Sequence, residues 1–148
     1  MINLNDIQTA QKKISPYIFK PPLVHSNPLS SKDREVILKL ESMQITGSFK
    51  LRGAINKLLS LNDKQRSQGV VAVSTGNHGK GVAYAAKKIG IKSKIFMSNL
   101  VPLHRKKAIE DLGAEIIIIG KNSDAADYEA REYAKKNNIC LIHPFDDK

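Results

Sequence analysis

The amino-acid sequence predicts an α/β protein with a parallel sheet that carries helices on both faces. Four short apolar runs recur at similar spacing, and a segment with apolar or alanine residues at helical spacing separates each run from the next. Strands joined through helices usually pair in parallel with right-handed crossovers, and strands this apolar are usually covered on both faces. The 148 residues suffice for one ordinary domain with its own core.

The first 61 residues predict a helix, a connection, a strand and a second helix. The segment 4–15 has a helical pattern, the proline-rich segment 20–31 indicates a connection, and the segment 35–41 alternates like a strand. The second helix, 48–61, begins beside Thr46 and Ser48. We expect one of these two hydroxyls to cap it, since threonine and serine accept a hydrogen bond from the first free N–H groups of a helix.

The remaining chain predicts the βα series itself. The apolar runs are 70–73, 94–97, 115–119 and 140–143, and the helix-like segments between them are 77–90, 102–114 and 123–138. Gly90 and Gly113 follow two of the helices, where a terminating glycine is expected. We therefore expect a parallel, helix-covered sheet from about Leu58 to Ile142.

Charge and composition favour a soluble protein that binds neither membrane nor nucleic acid. No apolar run reaches membrane-spanning length and the first residues lack the apolar core of a signal peptide, so a cytoplasmic location is expected. The net charge is +10, but only five of the 24 basic residues are arginine, and the lysines form pairs on predicted helix faces. Aromatic residues do not alternate with them, as they do in many nucleic-acid sites.

The cysteine and the histidines do not indicate a metal site. The single cysteine, Cys140, lies in an apolar run and is interpreted as a small buried side chain. The four histidines, His25, His78, His104 and His143, show no metal-ligand spacing.

Two stretches carry the chemistry. The stretch "TGSFKLRGA" places Lys50 in the first turn of a predicted helix, where the partial charge of the helix favours anions. The stretch "STGNHGKG", 74–81, joins a strand to a helix through small residues, so free N–H groups there can bind a phosphate or a carboxylate. It matches neither the Walker A loop nor the Rossmann fingerprint, because its glycines have different spacing.

A lysine at a helix start beside an anion-binding turn is what a pyridoxal phosphate enzyme needs. The stretches 39–54 and 74–86 closely resemble the serine/threonine dehydratase and serine racemase branch of those enzymes, which have the tryptophan-synthase-β-like fold, fold type II. The resemblance continues through 101–120 to "HPFDD" at 143–147. The segment "MSNLVP" is also similar to dehydratases associated with ectoine utilisation.

The resemblance implies a role for each residue of the two stretches. Lys50 is the lysine that forms the Schiff base with the cofactor, Phe49 packs beside the pyridine ring, and Asn77 hydrogen-bonds the phenolic oxygen of the cofactor. The resemblance also implies that the turn surrounds the substrate carboxylate. The residues of this substrate site are Ser74, Thr75, Gly76, Asn77 and His78.

The resemblance also implies a division of the chain and a truncation. Residues 1–50 correspond to part of a large cofactor domain and 51–148 to a smaller α/β domain. Family members are much longer, and the glycine-rich loop that grips the cofactor phosphate has no counterpart here. The chain is therefore expected to be the N-terminal half of a homo-oligomeric enzyme and to be inactive alone.

Three functions remain open. The first is a serine/threonine ammonia-lyase that forms a 2-oxo acid and ammonia. The second is a serine or amino acid racemase, because a hydroxyl at Thr75, opposite Lys50, could return a proton to Cα. Dehydratases typically have alanine at this position and racemases have serine. The third is an inert fold fragment or binding module that keeps the sequence of an enzyme.

Overall fold

A computed structural model describes residues 2–147, and its larger sheet has four parallel strands. The strands lie side by side in the order β5-β4-β3-β6. They are β3 (Val70–Val73), β4 (Ser93–Met97), β5 (Glu115–Ile118) and β6 (Cys140–Leu141). The parallel sheet expected between Leu58 and Ile142 is confirmed.

Six α-helices are described within residues 2–147. They are α1 (Leu4–Ile14), α2 (Lys50–Ser60), α3 (Asp63–Gln68), α4 (Asn77–Ile89), α5 (Leu103–Glu110) and α6 (Ser123–Asn137). The sequence pattern predicted all of them except α3. That six-residue helix is too short to show a period, and it is held by a reciprocal cap between Asn62 and Gln65.

The helices cover both faces of the sheet, as predicted. Successive residues of β3 point to opposite faces, so Val70 and Ala72 join the large core cluster while Val71 joins a smaller one. The large cluster contains the buried apolar side chains of α2 and α4. The smaller cluster packs β3 and β4 against α6 through Phe96 and Ala130.

The N-terminal part contains a separate pair of antiparallel strands, β1 (Leu23–His25) and β2 (Ile37–Lys39). The strand expected within 35–41 is present, but the prediction that 20–31 is only a connection is wrong. The strand β1 lies between Pro22 and Pro28, and these prolines indicated a connection, whereas β2 lies inside a longer alternating run. Both strands are exposed along their length, unlike those of the larger sheet.

Of the helices in residues 2–147, none combines the length and the apolar character needed to cross a bilayer. The division of the chain at residue 50 stays a prediction. Ile14 of α1 belongs to the same core cluster as α2 and α4, so α1 is packed against the βα series.

Candidate active site

Lys50 is the first residue of α2, and its amine is held by the segment that follows β6. Its Nζ donates a hydrogen bond to the carbonyl oxygen of Pro144 at 2.7 Å. The same atom lies 4.5 Å from the ring centroid of Phe145 and 5.4 Å from that of Phe49. A carbonyl and two aromatic faces therefore stabilise the positive charge of the ammonium group.

The backbone of Lys50 is fixed by close packing between α2 and α4. A β-carbon added at Gly81 would lie 3.2 Å from the backbone nitrogen of Leu51 and 3.3 Å from the carbonyl of Lys50. Only glycine fits there without separating the two helices. Gly81 therefore sets how closely the start of α2, with its lysine, can approach α4.

Lys50 opens into a cavity of about 580 Å³. This volume lies within the roughly 300–1,000 Å³ that is typical of small-molecule sites. The walls come from α2, from the start of α4 and from the segment after β6, and they include Lys50, Lys57, His78, His143, Phe145 and Asp147.

His78 joins α4 to the end of β6 from inside this cavity. Its side chain is buried, and its Nε2 lies 3.0 Å from the carbonyl oxygen of Ile142. A carbonyl only accepts, so Nε2 carries the proton in this contact. Burial is the main cause that lowers the pKa of His78 below its usual value; the hydrogen bond to Ile142 opposes this shift and the charge of Lys50 adds to it. His78 is therefore a neutral imidazole near neutral pH.

The turn before α4 presents backbone donors. Ser74 Oγ accepts hydrogen bonds from the N–H groups of Gly76, at 3.1 Å, and Gly79, at 2.8 Å. The backbone N–H groups of Thr75, Asn77 and His78 make no hydrogen bond with any residue of the range 2–147. Because α4 is a 13-residue helix, its start can bind an anion such as a carboxylate.

The predicted site residues are not all brought to one place. Phe49, Lys50 and His78 line the large cavity, whereas Thr75 lines a second cavity of about 330 Å³. Three other members of the turn line neither of these two cavities; they are Ser74, Gly76 and Asn77. Asn77 is exposed, as is Phe49 with 59% of its surface accessible.

The predicted cap of α2 is wrong. Phe49 occupies the cap position with helical backbone angles, and neither Thr46 nor Ser48 donates or accepts a side-chain hydrogen bond within residues 2–147. A capping hydroxyl needs an extended backbone immediately before the helix. The chain instead turns at Gly47, with φ of +76°, and is already helical at Phe49.

The sequence interpretation missed the residues that cover Lys50. His143–Asp147 form a turn in which His143 Nδ1 accepts from the N–H groups of Phe145 and Asp146, and Asp147 accepts from the N–H of His143. Lys57 of α2 pairs with Asp147 at 3.2 Å. The turn follows a parallel strand at its carboxyl end, where ligand sites of such sheets occur, and this position was the available signal.

The structure also shows the environment of Cys140 and of the residue types that bind metal ions. Cys140 is half-buried, and burial raises the pKa of its thiol. Within residues 2–147 no group of three or more histidine, cysteine, aspartate or glutamate side chains is placed to hold a metal ion.

Comparison with known proteins identifies relatives for nearly the whole chain. The pyridoxal-phosphate dependent enzyme family matches residues 14–148. The catabolic L-threonine dehydratase of Staphylococcus aureus (strain USA300) is 43% identical over 150 aligned positions, which cover 100% of this chain and 43% of that protein. The chain thus spans less than half the length of this curated relative.

Solved structures agree with the sequence comparison. The serine racemase of Dictyostelium discoideum matches with a TM-score of 0.89 and 34% identity, over 99% of this chain and 48% of that one. A threonine deaminase from T.th. matches with a TM-score of 0.86 and 38% identity, over 99% and 46%. The fold class and the family resemblance predicted from the sequence are both confirmed. The chain belongs to the pyridoxal-phosphate dependent enzyme family.

Proposed function

We propose that the chain is the N-terminal part of a pyridoxal phosphate-dependent ammonia-lyase that acts on serine or threonine. The observation that carries this proposal is that Lys50 lines a cavity which the start of α4 also borders. The similarity to a threonine dehydratase and to a threonine deaminase supports the lyase class.

The residues around Lys50 fit the cofactor. A primary amine is available to bind an aldehyde covalently, and the rings of Phe49 and Phe145 lie next to it as apolar neighbours for a pyridine ring. Asn77 would hydrogen-bond the phenolic oxygen. When bound, pyridoxal phosphate supplies an electron-withdrawing ring that stabilises negative charge at the substrate Cα.

The chain's own residues would bind the substrate and move its proton. The N–H groups of Asn77 and His78, at the start of α4, hold the carboxylate, since they have no other partner within residues 2–147. Thr75 precedes them in the same turn but lines the second cavity. His78 is neutral and donates to Ile142, so it adds no charge at the site. Lys50 Nζ, once free, accepts the proton from Cα.

The overall reaction balances without an added oxidant or reductant. The Cα–H bond and the bond from Cβ to its hydroxyl break, and the hydroxyl leaves as water. A water molecule later replaces the amino group, so the products are one 2-oxo acid and one ammonia. For serine the 2-oxo acid is pyruvate.

Racemisation is the second candidate, because serine racemases are among the structural neighbours. It requires a second acid that returns the proton to Cα from the face opposite Lys50, and Thr75 is the proposed donor. The placement of Thr75 on the second cavity does not favour this role. Chiral analysis of serine after incubation separates the two reactions, and an inert binding module would give neither.

The test uses a polypeptide of the relatives' length that contains this segment. After pyridoxal phosphate is added, borohydride reduction and peptide mass spectrometry should place the adduct on Lys50. Lys50→Ala should lose both the adduct and the release of 2-oxo acid from serine and threonine. Lys80→Ala is the control, because it removes another lysine, from α4, at a position that lines neither cavity.

Two outcomes would contradict the proposal. One is full turnover by Lys50→Ala, and the other is an adduct that forms mainly on Lys57. For the 148-residue chain itself we expect weak, unselective labelling and no measurable lyase activity, because it spans less than half of its relatives.

The cellular location and the oligomeric state of the enzyme are also proposals. We infer a homo-oligomer in the cytoplasm that uses a small amino acid as its substrate. Sedimentation of the longer polypeptide, with and without pyridoxal phosphate, would measure the oligomeric state.

A further inference from the structure

The second cavity lies at the carboxyl edge of the sheet, where three strands deliver side chains and helix starts. Thr75 follows β3, Ser98 follows β4, and Asn122 follows β5 and caps α6. Pro102, at the start of α5, completes the same wall. Because every helix of a parallel βα series begins at this edge, partial positive charges converge there.

The start of α6 offers backbone donors to this cavity. The side chain of Asn122 accepts from the N–H of Ala125 at 2.9 Å. The N–H groups of Ser123 and Asp124 make no hydrogen bond with any residue described between 2 and 147. A 15-residue helix with two free donors at its start is able to bind an anion.

Ser98 is a second, independent indication of a ligand. Only 4% of this residue is exposed, yet it lines the cavity, and its hydroxyl has no hydrogen-bond partner among residues 2–147. Among the described residues the enclosed hydroxyls without a partner are those of Thr46 and Ser48, so the hydroxyl of Ser98 reaches the cavity and is accessible to solvent there. A ligand oxygen in the cavity can accept a hydrogen bond from it.

Arg105 also lines the cavity, and it differs from the other arginines of the chain. The guanidinium groups of the other four bind carboxylates or backbone carbonyls; they are Arg34, Arg52, Arg66 and Arg131. In the described part of the chain the side chain of Arg105 has neither an ion pair nor a hydrogen bond. Its planar fork is therefore available for a bidentate contact with an oxyanion.

We propose that this cavity binds the phosphate group of a small molecule. Arg105, the hydroxyl of Ser98 and the N–H groups at the start of α6 approach from different elements, and a tetrahedral dianion has enough acceptor oxygens to use all of them. A planar carboxylate has fewer. The carboxylate of Asp124, in the first turn of α6, opposes binding but does not line the cavity.

The test is a titration of the 148-residue chain with inorganic phosphate, followed by the amide shifts in ¹H–¹⁵N spectra. Shifts should concentrate at Ser98, Ser123 and Asp124. Arg105→Gln should weaken binding about tenfold or more, because a charge-assisted contact is lost. Ser98→Ala should weaken it about threefold, and Asp124→Asn should tighten it about twofold.

The matched control is Lys107→Gln, which removes the same charge from the same helix at a position outside the cavity. It should leave phosphate affinity unchanged, and the spectra themselves show whether each variant is folded. Equal weakening by Arg105→Gln and Lys107→Gln, or no shifts at Ser98 and Ser123, overturns the proposal. Succinate that binds more tightly than phosphate would overturn the preference for phosphate.

The titration contains no pyridoxal phosphate and does not involve Lys50. Its outcome is therefore independent of the proposed lyase activity.

Discussion

Buried polar side chains near the start of α2 differ in whether they are hydrogen-bonded. Gln44 is 3% exposed, and its amide binds the backbone of Phe19 twice, accepting from the N–H at 2.7 Å and donating to the carbonyl at 2.8 Å. Thr46 is similarly buried, but its hydroxyl has no partner within residues 2–147. The two residues should therefore respond in opposite ways to an apolar replacement.

We predict that Gln44→Met lowers the free energy of unfolding by about 2 kcal/mol, since both backbone groups of Phe19 lose their partner. Thr46→Val has nearly the same shape and removes only an unpaired hydroxyl, so it should be neutral or stabilise by about 1 kcal/mol. Urea denaturation of the two variants measures both effects. A larger loss in Thr46→Val than in Gln44→Met would show that the hydroxyl of Thr46 has a partner after all.

His78 makes stability depend on pH. Burial lowers its pKa below the usual 6.5, so the unfolded chain takes up a proton at a higher pH than the folded chain does. The stability that neutral His78 contributes is fully present above about pH 6.5 and is lost as the pH falls through the folded-state pKa. Urea denaturation from about pH 8 down to about pH 5 should therefore show declining stability.

His78→Gln should flatten that decline, because glutamine can still donate to Ile142 but does not titrate. An NMR titration of the His78 ring gives the folded-state pKa directly. A midpoint above the usual histidine value would reverse the sign of the effect and contradict this prediction.

At the level of single residues, sequence reasoning found the side chains with distinctive chemistry and missed the backbone. Lys50 and His78 share one cavity, as the two stretches suggested. The acceptor for Lys50 is the carbonyl of Pro144, a group that every residue carries, so no residue type could reveal it. Thr46 and Ser48 show the converse, because their residue types suggested a cap that the backbone at Phe49 does not allow.

The packing of α2 on α4 depends on Gly81 of α4 but not on Gly53 of α2. Gly81 lies against the backbone of Lys50 and Leu51, whereas a β-carbon added at Gly53, on the exposed side of α2, would meet nothing within 4 Å. Both glycines are inside helices, where alanine has the higher helix propensity. The difference between the two replacements therefore reports the packing alone.

We predict that Gly53→Ala raises the free energy of unfolding by about 0.5–1 kcal/mol. Gly81→Ala should not show this gain and should be neutral or destabilising, since α2 and α4 must move apart by a few tenths of an ångström. Urea denaturation compares them directly. An equal gain in both variants would show that α2 and α4 can move apart without any loss of stability, which contradicts the prediction.

The elements that the sequence predicted are those long or apolar enough to show a period. The four strands of the larger sheet and the helices between them satisfy this condition. The helix α3, with six residues, and the strand β1, which lies between prolines, do not. The formation of α3 depends on a cap at Asn62, and that of β1 depends on pairing with β2. Both are contacts in space, which a periodic sequence pattern does not show.

At the scale of the whole molecule, exposed apolar side chains concentrate before residue 50. The hairpin of β1 and β2 exposes Leu23, Val24, Ile37 and Leu38, and α1 exposes Leu4 and Ile7. The relatives are more than twice as long as the matched segment, and their additional residues are candidates to cover this surface. In the isolated chain the same surface is open to a second copy.

We predict that the 148-residue chain self-associates in a concentration-dependent way, as light scattering or sedimentation would measure. Val24→Lys combined with Leu38→Glu should reduce this association, because the two residues are paired across the hairpin and both are exposed. Leu103→Lys is the control, since Leu103 is 78% exposed on α5, outside the hairpin and α1. A monomer at all concentrations would contradict the prediction.

The strand order has a consequence for when the site assembles during folding. The central strand β3 pairs with β4 across one helix, a local closure, whereas β6 reaches β3 only after the chain has passed through β5 and α6. Lys50 and Pro144 are 94 residues apart, so their contact carries one of the larger loop-closure costs in the chain. The amine of Lys50 is consequently open to solvent in every species that precedes the docking of β6, and it becomes covered only when that strand is in place.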